Sequence, residues 1–235
     1  MVTYNELAKM IDHSLLHPTF TDQQVIDGCK LAQAYDVASV CVRPSDVKAA
    51  AAILKDSDVL VSTVIGFPHG TTTTLAKIAE AQEAIDNGSA ELDVVLNIGK
   101  MKSGDYDYVK KDLAAVIAVA HAQNVKVKVI FENCYLTKEE IKQTCLICND
   151  IKADWVKTST GYGTSGAADE DLKIMREYAS PHIQVKAAGG IRTLERAIEV
   201  RNLGCTRIGA TATAEILEAF KNPSIAAEKE NSTGY

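Results

Sequence analysis

The sequence lacks an excess of positive charge. Its 235 residues include 25 lysines and arginines against 31 aspartates and glutamates, which gives a formal net charge of −6. General binders of nucleic acid or of membrane surfaces use a basic electrostatic field, which this composition does not supply. We therefore expect neither nucleic acid nor membrane as a partner. Any affinity for a phosphate must come from a few groups in a cleft.

Long hydrophobic runs and export signals are also missing. The longest apolar run, residues 113–120, is too short to cross a bilayer, and residues 1–10 have neither the basic start nor the apolar core of a signal peptide. Six cysteines without an export signal are typical of reduced thiols, so we expect a cytoplasmic protein.

The sequence also lacks cysteines and histidines grouped at the spacing of metal ligands. Cys145 and Cys148 have no second cysteine pair, and none of the five histidines is paired at the spacing of metal ligands. We therefore expect no metal site.

Eight short strand-like runs alternate with amphipathic helical stretches. Some of these runs, such as 37–42 and 59–65, are apolar at nearly every position, which is typical of parallel strands covered on both faces. The alternation predicts a (β/α)8 TIM barrel. An open doubly wound sheet is the alternative, but its nucleotide-binding form needs a G-x-G-x-x-G turn after an early strand, and no such turn follows an early strand here. The predicted strands are Ile11–Leu16, Val37–Val42, Val59–Gly66, Ala90–Asn97, Val125–Glu132, Asp154–Thr160, Gln184–Gly189 and Cys205–Ala210.

Threonines mark the starts of several helices. Thr3-x-x-Glu6 is a capping box, and it predicts a short extra helix before the first strand. The same spacing at 21–24 and at 137–140 predicts two further helix starts. Because no linker or compositional break is visible, we expect residues 1–235 to form a single catalytic domain, with about 221–235 as a polar tail that frays.

Two predicted strands each carry a lysine to their carboxyl end, where a glycine-rich turn follows. Lys157 follows Trp155 and Val156, and Lys186 precedes the sequence AAGG. Active sites of such barrels lie at this end of the strands. Burial shifts a lysine towards its neutral, nucleophilic form. A surface lysine on a half-exposed strand is the alternative for either one alone.

Charged residues in other strands are candidate partners for these lysines. Asp93 stands in an otherwise apolar strand and needs a partner if it is buried. Asp12 lies in the first strand, and Lys126 and Lys128 share one face of the fifth. We interpret Glu91 and Lys126 as salt-bridged or solvated residues at strand ends. Two inward lysines and an aspartate suit carbonyl chemistry through a Schiff base, because a second ammonium and desolvation keep one amine neutral while the acid moves protons.

Five segments resemble those of the 2-deoxyribose-5-phosphate aldolase family. They occur in the order found in that family, and the likeness extends from about residue 11 to about residue 220. The segments are IDHSLL at 11–16, ASVCV at 38–42, ELDVVLN at 91–97, VKTSTG at 156–161 and VKAAGGIR at 185–192.

The resemblance implies a class I aldolase on a TIM barrel that uses neither metal nor organic cofactor. The implied reaction is the reversible cleavage of 2-deoxy-D-ribose 5-phosphate to D-glyceraldehyde 3-phosphate and acetaldehyde. The catalytic residues implied are Lys157 for the Schiff base, Lys186 for tuning it and Asp93 for acid–base transfer. Supporting or substrate-binding positions are Asp12, Cys41 and Lys128. Members of the family are commonly dimers or tetramers, so a homo-oligomer is implied as well.

Glycines and threonines after the strands predict a phosphate site. Backbone N–H groups at glycines can bind an anion, and threonine hydroxyls can add donors. Tight strand-to-helix turns are the alternative role for the glycines. The candidate residues are Thr160, Gly161, Gly189, Gly190, Gly209 and Thr211.

Two positions depart from the family pattern near this site. Ala212 stands where the family usually has a hydroxyl, and Tyr162 stands where some members have a lysine. Both changes bear on the affinity for phosphate and on which aldehyde serves as acceptor in the aldol reaction, and neither changes the Schiff-base residues.

Two other functions fit the same pattern. One is a different Schiff-base barrel, such as another phosphosugar aldolase, a transaldolase or a dehydroquinase. The other is a barrel that binds a phosphosugar without covalent chemistry, in which Lys157 is an electrostatic anchor.

Overall fold

Apolar, β-branched runs form eight parallel strands that close into a barrel. The computed structural model describes residues 2–222, and within them the strands pair in chain order, with β8 returning to β1. The predicted (β/α)8 barrel is confirmed, and each observed strand falls within a predicted run. The strands are β1 (Ile11–Leu15), β2 (Ser39–Val42), β3 (Leu60–Ile65), β4 (Glu91–Val95), β5 (Lys126–Ile130), β6 (Trp155–Lys157), β7 (Gln184–Ala188) and β8 (Cys205–Ala210).

Helices surround the barrel and begin at the predicted caps. Thr3, Thr21 and Thr137 each complete a capping box with the side chain three residues later, which satisfies N–H groups that a helix start leaves free. The helices are α1 (Tyr4–Ala8), α2 (Asp22–Ala34), α3 (Val47–Leu54), α4 (Thr74–Asp86), α5 (Ile98–Lys102), α6 (Tyr106–His121), α7 (Lys138–Ile151), α8 (Asp169–Tyr178), α9 (Leu194–Asn202) and α10 (Thr213–Lys221). Across residues 2–222, no helix has both the length and the apolarity to cross a bilayer.

Parallel register sets the charged residues side by side in the barrel. Lys157 on β6 is opposite Lys186 on β7, and Lys186 is opposite Arg207 on β8. Asp93 on β4 is opposite Lys128 on β5. Since alternate residues of a strand face the same side, these side chains point into the barrel while their neighbours pack against the helices.

Trp155 occupies the amino-terminal end of the barrel interior. It is 3% exposed, and its ring centroid lies 5.2 Å from the guanidinium carbon of Arg207 and 5.3 and 5.5 Å from the amines of Lys126 and Lys128. The two lysines therefore share a face, as predicted. Cations over an aromatic face are attracted by its quadrupole, so the Trp155 ring stabilises the positive charges near it.

The predicted polar tail lies mostly outside the described residues. Helix α10 ends at Lys221, and residues 223–235 are not among those described. The single-domain assignment of 1–235 stays a prediction, supported by the one closed barrel formed within residues 2–222.

Candidate active site

A cavity of about 470 Å³ opens at the carboxyl ends of the strands. Ten of the twelve predicted site residues line it, and the other two, Asp93 and Lys128, lie behind the lysines at its base. The ten lining residues are Asp12, Cys41, Lys157, Thr160, Gly161, Lys186, Gly189, Gly190, Gly209 and Thr211.

Asp93 stands at the centre of the buried charges. Its Oδ2 lies 2.8 Å from Nζ of Lys157 and 2.8 Å from Nζ of Lys186, and its Oδ1 accepts from Nζ of Lys128 at 2.9 Å. All four side chains are at most 3% exposed. One carboxylate thus contacts three amines with little water present.

Asp12 extends this network to the first and last strands. Its Oδ2 accepts from Lys186 at 2.5 Å, and its Oδ1 accepts from the Ser39 hydroxyl at 2.8 Å and from the Arg207 guanidinium. Asp12 and Asp93 therefore both bind the amine of Lys186.

Glu91 and Arg207 are network members whose place in the site the sequence did not reveal. Arg207 donates to both Glu91 oxygens, at 3.0 and 2.7 Å, and Lys128 donates to Glu91 at 2.6 Å. The predicted salt bridge of Glu91 is present, but it lies inside the barrel. The strand pattern contained the signal for Arg207, because it stands two residues before Gly209 and faces the same side as that glycine.

The network contains one more cationic group than it has carboxylates. Three carboxylates (Asp12, Glu91 and Asp93) face four cationic groups (Lys128, Lys157, Lys186 and Arg207). Three positive charges neutralise the three carboxylates. A fourth charge, buried without a counter-ion of its own, carries a desolvation cost that deprotonation removes.

The pKa shifts identify Lys157 as that amine. Burial is the largest influence and lowers the pKa of Lys157, the Lys186 ammonium lowers it further, and Asp93 only partly opposes them. For Lys186, burial also lowers the pKa, but Asp12 and Asp93 outweigh it, so the net shift is upwards. Lys186 therefore keeps its proton, and Lys157 is the group biased towards the neutral form.

The carboxyl groups are held ionised. Burial alone would raise the pKa of Asp93, but the three surrounding amines outweigh it and hold the pKa well below its usual range. For Asp12, burial is again outweighed, here by Lys186, Lys128 and Arg207, and the pKa falls. Both groups are therefore ionised at neutral pH.

Free backbone donors line the other end of the cavity. Gly161, Gly189 and Gly190 have φ angles of +90°, +80° and +85°, a region that favours glycine. Across residues 2–222, the N–H groups of these three glycines have no protein acceptor. Arg192, an exposed cation that the sequence reading did not single out, lines the same end. The arrangement offers an anion both hydrogen bonds and a positive charge.

Two other residues predicted for this end have different partners. The Thr160 hydroxyl donates to the Glu132 carboxylate and accepts from the Tyr162 N–H at 3.0 Å, so its proton is already used. At Gly209 a Cβ atom would lie 3.6 Å from Cε of Lys186 and 3.2 Å from Cβ of Ala188. Gly209 therefore allows close packing of β8 against Ala188 on β7, whereas Thr211 lines the cavity as predicted.

The sequence comparison identifies the family. A model described as DeoC/LacD family aldolase matches residues 7–213. The chain belongs to this family.

The most similar relatives and structures agree with this family. The chain is 51% identical over 236 residues to the deoxyribose-phosphate aldolase of Rhodopirellula baltica, covering 99% of this chain and 98% of the relative. It is 48% identical to the deoxyribose-phosphate aldolase of Thermococcus gammatolerans, covering 92% and 97%. A crystal structure of a putative deoxyribose-phosphate aldolase from Coccidioides immitis superposes with a TM-score of 0.90 at 36% identity, covering 94% and 87%. The tetrameric deoxyribose phosphate aldolase of Aeropyrum pernix superposes with a TM-score of 0.88 at 29% identity, covering 94% and 93%.

Tyr162 spans the mouth of the cavity. Its hydroxyl donates to the Leu16 carbonyl at 3.0 Å, and its ring meets Phe67 edge to face at a centroid distance of 5.5 Å. The residue thus joins the loops after β1, β3 and β6. Tyr162 brings no positive charge to the glycine-rich end of the cavity, which Arg192 also lines.

One cysteine and one histidine also line the cavity. Cys41 is buried in the cavity wall, and burial raises the pKa of its thiol. His17 lines the cavity and packs against Phe20, with ring centroids 5.6 Å apart, while His69 is exposed. Within the described part of the chain, no three histidine, cysteine or acidic side chains group as metal ligands.

Proposed function

We propose that the protein is a class I aldolase that reversibly cleaves 2-deoxy-D-ribose 5-phosphate to D-glyceraldehyde 3-phosphate and acetaldehyde. The observation that carries this proposal is a single buried amine, that of Lys157, which is biased towards its neutral form and opens onto a cavity. Lys186 supplies the neighbouring charge, and Asp93 contacts both amines. Membership of the DeoC/LacD aldolase family and similarity to proteins named deoxyribose-phosphate aldolase support the same reaction.

Cleavage begins with covalent bond formation at Lys157. The neutral amine attacks C1 of the open-chain sugar and forms a carbinolamine, which loses water to give a protonated Schiff base. The hydroxyl on C3 then loses its proton, the C2–C3 bond breaks, and its electron pair passes to the iminium. The products of this step are D-glyceraldehyde 3-phosphate and an enamine on Lys157. Protonation of the enamine carbon and hydrolysis release acetaldehyde and restore the amine.

Lys186 and Asp93 are the groups that give and take protons during these steps. The Lys186 ammonium is a donor beside the reacting nitrogen, and the Asp93 carboxylate is an acceptor 2.8 Å from both amines. Since Asp93 lies behind the lysines, it exchanges protons with the substrate through an amine or a water. Asp12 and Lys128 hold Lys186 and Asp93 in place.

The phosphate binds at the glycine-rich end of the cavity. The free N–H groups of Gly161, Gly189 and Gly190, the hydroxyl of Thr211 and the charge of Arg192 are its ligands in this proposal. Backbone donors combined with a nearby cation are a frequent arrangement for phosphate. We also propose that the protein is a homo-oligomer, a dimer or tetramer, because the related Aeropyrum pernix protein is tetrameric.

Borohydride trapping tests the covalent step. The protein is incubated with acetaldehyde and sodium borohydride, digested, and analysed by mass spectrometry. We expect one N-ethyl group on Lys157, seen as a mass increase of C₂H₄, and we expect Lys157→Ala to give neither this adduct nor turnover of deoxyribose 5-phosphate. A protein that binds the phosphosugar but forms no adduct would be the non-covalent barrel, and the aldolase proposal would then be wrong.

A further inference from the structure

Glu132 is a buried acid that the mechanism above does not use. It follows β5, is 2% exposed and has a backbone φ of +56°, a region that non-glycine residues rarely adopt. Across residues 2–222, no lysine, arginine or histidine nitrogen lies within 4.0 Å of its carboxylate. Burying an unpaired carboxylate in an uncommon backbone conformation costs free energy, so its contacts merit a functional explanation.

The carboxylate of Glu132 binds the loop that follows the Schiff-base lysine. Both of its oxygens lie 3.3 Å from the Thr160 N–H, and one also accepts from the Thr160 hydroxyl. That hydroxyl accepts in turn from the Tyr162 N–H at 3.0 Å. Glu132 therefore fixes the backbone on both sides of Gly161, directly at Thr160 and through a shared hydroxyl at Tyr162.

The loop also lies in close contact with Glu132 further along. A Cβ atom at Gly163 would be 3.0 Å from Cδ of Glu132 and 2.7 Å from Sγ of Cys134. Between these two contact points stands Gly161, which has the positive φ of +90° and a free N–H. The direction of that N–H depends on how the loop is anchored, and the anchor is the carboxylate.

We propose that Glu132 is a positioning residue for the phosphate end of the cavity. It holds the segment Thr160–Tyr162 so that the Gly161 N–H points at the phosphate before substrate arrives. This inference rests on the proposed function, because it assumes that a phosphosugar occupies the cavity. Its effect is confined to the phosphate, since Glu132 itself contacts neither Lys157 nor Lys186.

Glu132→Gln tests the proposal with two substrates that differ only in the phosphate. We measure kcat and KM for the cleavage of 2-deoxyribose 5-phosphate and of unphosphorylated 2-deoxyribose. In glutamine, one oxygen becomes an NH₂ donor facing the Thr160 N–H, so the double acceptance is lost. We expect the preference for the phosphorylated sugar, as a ratio of kcat/KM values, to fall by about ten- to a hundred-fold, mainly through KM. Trapping of acetaldehyde on Lys157 should proceed as in the wild type.

Two further variants keep the test decisive. Asp154 stands just before β6, at the amino-terminal end of the barrel, and accepts from the Val127 N–H at 2.8 Å; Asp154→Asn therefore neutralises a similar carboxylate–backbone contact outside the cavity lining and should leave the preference unchanged. Thr160→Val removes the shared hydroxyl with little change of shape and should lower the preference even if Glu132→Gln fails to fold.

An equal loss for both sugars, or an unchanged preference in Glu132→Gln and Thr160→Val, would overturn the positioning role. Absence of any Lys157 adduct in the wild-type protein would instead overturn the proposed function. The two failures are therefore distinguishable.

Discussion

Replacing Lys186 by methionine should make the Lys157 amine harder to deprotonate. Nζ of Lys186 and Nζ of Lys157 each lie 2.8 Å from the same oxygen of Asp93, so the two nitrogens are at most 5.6 Å apart. At an effective dielectric constant of about 20, two positive charges at this distance repel each other by about 3 kcal/mol. Without that repulsion the pKa of Lys157 rises. At pH values below the pKa, the fraction of Lys157 that is neutral then falls by about a hundred-fold.

The assay is the pH dependence of kcat/KM for deoxyribose 5-phosphate cleavage, together with the rate of acetaldehyde trapping at each pH. We expect the acid limb of both profiles to move to higher pH by about two units in Lys186→Met, because both follow the neutral fraction of Lys157. Lys186→Arg keeps the positive charge and should leave the limb near its wild-type position even if turnover slows. An unmoved acid limb in Lys186→Met would refute the electrostatic reasoning, and Lys186 would then act only in proton transfer.

Two predictions concern stability away from the reacting atoms. Lys77 and Asp112 form an ion pair of 2.6 Å, and both side chains are at most 1% exposed. Lys77→Met leaves the Asp112 charge buried without this partner, so it should lower the free energy of unfolding, measured in urea, by about 3–5 kcal/mol. Adding Asp112→Leu should restore most of the loss, and a double variant as unstable as the single one would contradict this. Burial lowers the pKa of His13 from 6.5 to about 4, so the unfolded chain binds a proton between these values that the folded protein does not. Stability from this source is complete above pH 6.5 and falls by about 3 kcal/mol as the pH drops to 4, a loss that His13→Asn should not show when unfolding is followed at several pH values. Parallel pH dependence in the two proteins would contradict the role of His13.

Local chemistry along the chain was sufficient to predict the architecture. Eight apolar runs at nearly regular spacing, separated by capped helices such as the one beginning after Thr21, permit few arrangements, and a closed barrel is the simplest. The same pattern located the lysines, because a strand end followed by glycines is where such barrels place their active site. Asp93 was recognisable too, since an acid inside an apolar strand needs a partner.

What only the tertiary structure decided is which charges meet. Asp93 and Lys186 are 93 residues apart in the chain, and Arg207 and Glu91 are 116 apart, so no local pattern pairs them. Ring closure and parallel register bring them together, and the surplus of one cation over the carboxylates appears only when the whole network is visible. Sequence reading took Glu91 for a residue at a strand end and gave Thr160 a role as phosphate donor, whereas the fold buries Glu91 among cations and turns the Thr160 hydroxyl to Glu132.

The sequence by itself therefore determined the strands, the helix starts and the candidate amines, because each depends on neighbours a few residues away. The folded barrel decided which amine carries the proton, because a pKa depends on burial and on nearby charges, and the charges of this network come from six different strands.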